Sequence, residues 1–139
     1  MEENNKNLFL WKRYKFRKNI INYIYQFELF DRELNSEEII NNELNDINNK
    51  EIQTLKIIES KYLIISNIAK NYISKDWEWK RISPLTRAIL IFGIYEMTYN
   101  EPKIVINEMI NISKIFSPNE DYKFINKILD LVSKNIINK

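Results

Sequence analysis

An all-α fold follows from three features of the sequence. Glycine occurs once in 139 residues, at Gly93, so the turn residues that β-hairpins demand are missing. The three prolines, Pro84, Pro102 and Pro118, bracket segments of helix length. Apolar side chains recur at spacings of three and four, the period of a helix with one buried face. Apolar types make up 45% and charged types 29%, which suits a folded domain, and the length predicts a single one spanning residues 1–139.

The first helix is predicted from about Leu10 to Asp31, with Ile20, Tyr23, Ile24, Phe27 and Phe30 on its buried side. Either Asn35 or Ser36 caps a short second helix whose first turn is acidic, as the helix dipole prefers. Asn41, Asn42, Asn45, Asn48 and Asn49 weaken this segment through low helix propensity. A third helix covers about Glu51 to Ser74. Its stronger stripe is Leu55, Ile58, Tyr62, Ile65, Ala69 and Tyr72, with Ile57, Ile64 and Ile68 on a second line.

Trp77 and Trp79 stand in the next connection, either plugging a seam between helix groups or offering a partner hot spot. Ser83-Pro84 then starts a fourth helix that runs to about Tyr99, the proline at a position where its missing N–H costs nothing. Leu85, Ala88, Phe92, Tyr95 and Tyr99 are in register, and Gly93 within it predicts close helix–helix approach. Pro102 opens a fifth helix to about Phe116, burying Val105, Met109, Ile112 and Phe116. Ser117-Pro118 opens the last, to about Ile137, burying Ile125, Leu129, Val132 and Ile136.

Net charge is only +2, so distribution matters more than total. Residues 6–18 hold Lys6, Lys12, Arg13, Lys15, Arg17 and Lys18 and no acid. On a helix Lys12 and Lys15, and Arg13 and Arg17, form neighbouring rows. Trp11, Tyr14 and Phe16 lie between them. Cations that hold phosphates, interleaved with rings that stack on unpaired bases, suit single-stranded nucleic acid. The competing reading is a solvated helix face. Residues 28–59 are acidic by contrast, a polarity that suits RNA on one side and a basic protein on the other.

Chemistry has little to stand on. Without Cys or His there is no thiolate, no usual neutral-pH base and no common metal ligand set, and one glycine excludes phosphate-cradling loops. Neither a metal site nor a cofactor is predicted. Glu96 and Glu108 interrupt apolar segments, either as a poised acid or base or, more simply, as partners of basic groups. Glu108 lies past the first turn of its helix, so its partner must come from another element. Tyr25 and Leu29 form a candidate partner patch, and Lys123 and Lys127 extend the basic surface if the last helix begins beside the first. The polar N-terminus and the lack of a membrane-length apolar run predict a cytoplasmic location and no membrane association.

Four stretches together resemble the NusB family of transcription antitermination factors: KRYKFRKNIINYIYQFEL (12–29), WEWKRISPLTRAILIFGIYEM (77–97), PKIVINEMINISKIF (102–116) and DYKFINKILD (121–130). The resemblance implies an all-helical, non-enzymatic protein of about six to seven helices in N-terminal and C-terminal subdomains. It implies binding of boxA-type single-stranded RNA in ribosomal RNA transcripts together with NusE, which is small-subunit ribosomal protein ten. The implied setting is the RNA polymerase elongation complex with NusA and NusG. Some relatives pair with themselves, which makes a homodimer the alternative assembly.

By the same resemblance, Lys12, Arg13, Lys15, Arg17 and Lys18 are the expected phosphate contacts, and Tyr122, Lys123 and Phe124 lie beside the RNA. Tyr25, Leu29, Trp79 and Thr86 are the expected partner-binding positions. Thr86 stands where relatives carry an acid, which puts a salt bridge to NusE in question. Ile91 replaces a usual Arg, which questions buried pairing of Glu96 or Glu108. Lys127 replaces a usual Gly near a helix start, and Tyr14 interrupts an arginine tract. Two rivals are a general rRNA-processing RNA-binding domain and a pure protein-interaction scaffold.

Overall fold

The computed structural model describes residues 2–74, 78–117 and 119–137; Trp77, Pro118 and the side chain of Ile136 lie outside the described residues. The described residues form six α-helices: α1 Glu2–Leu29, α2 Ser36–Asn41, α3 Asn49–Asn71, α4 Pro84–Glu96, α5 Pro102–Phe116 and α6 Asp121–Val132. One 3-10 turn, Trp79–Arg81, precedes α4, and a π-helical turn, Ser133–Ile137, follows α6. Among the described residues there is no strand.

Side-chain caps fix several helix starts. Asn35, rather than Ser36, caps α2 by accepting from the Glu38 N–H at 3.1 Å. Asn48 and Glu51 form a reciprocal capping box on α3, at 2.8 and 3.1 Å, which satisfies two otherwise unpaired N–H groups. The Ser83 hydroxyl accepts from the Thr86 N–H at the start of α4, with Pro84 in the first turn.

α4 is the axis of the fold. Every residue from Thr86 to Met97 is buried, so the predicted stripe of α4 widens to the full circumference, as expected of a helix enclosed by others. α1, α3, α5 and α6 all pack on it. Gly93 permits the closest approach: a Cβ there would lie 3.1 Å from Met109 Cγ and 3.1 Å from Leu129 Cδ1.

Three expected core residues point outward. Phe30 is 71% exposed, because α1 stops at Leu29 and the chain turns through Asp31 in the left-handed region, φ 54°. Tyr99 and Phe116 are 56% and 44% exposed, the first because it follows the end of α4 and the second because it closes α5. α1 also starts earlier than predicted. Its first turns extend past the core, with Leu8, Phe9, Leu10 and Trp11 all exposed.

Two buried ion pairs join α1 to α4. Arg17 Nε donates to Glu96 Oε1 at 2.7 Å and Nη2 to Glu96 Oε2 at 3.0 Å. Eleven positions further along α1 and nine back along α4 lies the second pair, in which Arg87 Nε donates to Glu28 Oε2 at 2.8 Å. Arg87 also donates to the carbonyls of Glu28 and Ile82, at 3.0 and 2.6 Å. The Tyr62 hydroxyl of α3 donates to the same Glu28 carboxylate, so three helices meet on one anion.

Candidate nucleic-acid interface

At 100° per residue, the basic residues of α1 cannot share one face. Lys12, Lys15 and Lys18 follow one another at intervals of three and are all exposed. Arg13 and Arg17 fall instead on the side of Ile20 and Ile24. Arg13 is half-buried and Arg17 only 5% exposed.

Arg17, expected among the phosphate contacts, is therefore a buried ion-pair partner and not an exposed cation of this row. Its guanidinium is committed to Glu96 and lies 3.8 Å from Glu108 Oε2. Burial by itself lowers its pKa, but the hydrogen bond and charge of Glu96, together with Glu108, more than offset that and raise it. The same geometry answers the question raised by Ile91. That residue is fully buried as an apolar side chain, and the cation for both glutamates comes from α1. The signal was in the sequence: Arg17 stands three residues before Ile20 and seven before Ile24, on the buried stripe itself.

Cation–ring contacts carry the exposed lysine row toward the α5–α6 turn. Lys18 Nζ sits 5.8 Å from the Phe116 ring centre, and Lys114 Nζ sits 4.8 Å from that of Tyr122. Tyr122 and Phe124 are half-buried, whereas Lys123 and Lys127 are exposed. Lys123 pairs with Glu120 at 3.1 Å, a solvated pair worth little. Lys127 is in the second turn of α6 and exposed, so it adds charge to the helix surface. Lys114 was missed by sequence reasoning, since an isolated lysine late in α5 carries no local pattern.

Two grooves flank the overhanging part of α1. Phe9, Arg13, Phe16 and Lys50 line both. The inner groove, about 440 Å³, continues to Tyr99 and the Arg17–Glu96 pair. The outer, about 550 Å³, continues to Lys12, Lys15 and Asp46. Lys50 Nζ lies 4.6 Å from the Phe16 ring centre and the Arg13 guanidinium carbon 5.5 Å from that of Phe9.

A third groove, about 640 Å³, is lined by Tyr25, Pro84, Leu85, Thr86, Phe116 and Phe124 among others. It brings together a candidate partner position of α1 and a candidate RNA position of α6. Thr86, expected at the partner surface, is only 3% exposed at the floor of this groove, and its hydroxyl accepts from Ser83 Oγ at 3.0 Å, so its polar atom is committed to the start of α4. Leu29 is exposed one turn beyond Tyr25. Trp79 is half-buried against the core, with Lys70 Nζ of α3 5.9 Å from its ring.

The NusB family profile matches residues 15–134. The chain belongs to the NusB family. It is 35% identical to the transcription antitermination protein NusB of Methylacidiphilum infernorum over 136 residues, covering 88% of this chain and 91% of that one. It is 34% identical to the NusB of Fervidobacterium nodosum over 134 residues, again covering 88% and 91%. The fold matches a solved structure of T. maritima NusB with a TM-score of 0.70 at 25% identity, covering 88% and 91% of the two chains. Both of these sequence relatives are transcription antitermination proteins. Among the described residues, no helix is long and apolar enough to cross a membrane.

Proposed function

We propose that this NusB-family chain acts in the cytoplasm as an antitermination factor that binds boxA-type single-stranded RNA of ribosomal RNA transcripts. It does so with NusE, within the RNA polymerase elongation complex that also holds NusA and NusG. The observation that carries the RNA reading is the exposed row Lys12, Lys15 and Lys18, continued through Phe116 to Lys114 and Tyr122. Lysine amines along a helix hold phosphates, while Tyr122, Lys123 and Phe124 supply ring and edge contacts. The apolar groove beside Tyr25, with Leu29 next to it, is the surface offered to NusE.

The test is a salt titration of binding to boxA RNA, with a scrambled RNA as control and NusE present. Neutralising Lys12, Lys15 and Lys18 together should flatten the log–log salt dependence by about 2, at roughly 0.7 per phosphate contact on a single strand. Binding of NusE alone, insensitive to salt and indifferent to RNA sequence, would favour a protein-interaction scaffold instead.

A further inference from the structure

The inner groove under the overhang of α1 is basic without any pattern in the sequence to announce it. Lys50 comes from α3, 37 residues after Arg13 in the chain, yet both line the groove. Neither forms an ion pair among the described residues. The carboxylate that lines this groove with them, Glu96, is paired with Arg17, which leaves Lys50 and Arg13 as the cations of the groove outside any ion pair among the described residues. The same two cations also line the outer groove, but there Asp46 and Glu51 line it with them and would oppose an anion.

Lys50 is also placed at a local cost. It stands in the first turn of α3, where the helix dipole disfavours a cation. A residue held against local preference, exposed and beside a second cation, fits a surface that awaits an anion. Tyr99 supplies the other half of a nucleotide site. It lines the groove and is 56% exposed, and its ring meets that of Tyr95 in a T-shaped contact at 5.4 Å and 67°.

We propose that this groove is a second nucleotide subsite, in which Lys50 and Arg13 hold a phosphodiester of single-stranded RNA and Tyr99 stacks on a base. The subsite rests on the RNA-binding reading and extends the RNA path from the outward lysine row to the underside of α1.

The experiment uses the full chain with NusE and boxA RNA and compares Lys50→Gln, Tyr99→Leu and Lys56→Gln, the last an exposed lysine of α3 not lining the groove. Lys50→Gln should weaken binding about three- to tenfold and reduce the salt slope by about 0.7. Tyr99→Leu should weaken it about tenfold, as loss of one stacked base does, with the slope unchanged. Ultraviolet crosslinking of 4-thiouridine RNA should label the tryptic peptide containing Tyr99. Binding by Lys50→Gln and Tyr99→Leu equal to that of Lys56→Gln, with no crosslink on that peptide, would overturn the subsite. The RNA reading would then survive if neutralising Lys12, Lys15 and Lys18 still weakened binding. No RNA binding by the unmodified chain would remove both.

Discussion

Arg17 shows how one residue changes meaning between a linear and a folded chain. In the sequence it sits among cations, and in the fold it neutralises Glu96 at 2.7 Å with only 5% of its surface exposed. Removing one member of such a pair leaves a buried charge without compensation, whereas replacing both by apolar groups is often close to neutral. Arg17→Met should therefore cost about 3 kcal/mol or more, visible as a melting temperature lower by roughly 10 °C. Arg17→Met combined with Glu96→Leu should recover most of that loss. A single variant that melts with the unmodified protein would mean that the pair contributes little.

Tyr62 makes a second argument at this scale. Burial, with the hydrogen bond and charge of Glu28, raises its phenol pKa well above the ordinary value. A pKa raised on folding means that the unfolded chain releases its proton first. The stability contribution is complete below about pH 10, the unfolded value, and is lost as pH rises beyond it. Thermal melts should lose stability above about pH 10, and Tyr62→Phe should blunt that loss. Equal alkaline sensitivity in both proteins would argue against the Tyr62–Glu28 contact.

At the scale of elements, α4 and α1 were legible to different degrees. The caps of α2 and α4, the prolines that open α4 and α5, the span of α5 and the close approach at Gly93 follow from local chemistry, whereas α6 starts at Asp121 without a side-chain cap, and not at the Ser117-Pro118 pair. Local chemistry does not say how many neighbours a helix has, so the stripe of α4 was read too narrowly. For α1 the composition of the basic run was plain, but its division into an exposed lysine row and an inward arginine row depends on where the core ends. Lys50 and Lys114 were invisible because their neighbours, Phe16 and Tyr122, come from other helices. At Gly93 opposing effects can be weighed. Alanine gains about 1 kcal/mol in helix propensity, but its methyl group would press on Met109 and Leu129 at 3.1 Å, and overpacking costs about 1–3 kcal/mol. Gly93→Ala should lower stability by about 1 kcal/mol in denaturant melts; an increase would show that these side chains yield freely.

Across the whole molecule, the exposed lysine row, the inner groove and the apolar groove beside Tyr25 all use α1, and the row meets the apolar groove at Lys18 and Phe116. Its placement on α4 therefore governs every proposed contact at once. The two buried pairs do more than hold that placement. Along α1 the order of charge is plus at Arg17, then minus at Glu28; along α4 it is plus at Arg87, then minus at Glu96. The crossing in which unlike charges meet has the helices running in opposite senses. Turning α1 end for end would set Arg17 against Arg87 and Glu28 against Glu96, two buried repulsions in place of two attractions. The pairs act as a polarity key: apolar stripes alone would accept either heading, and these four side chains admit one.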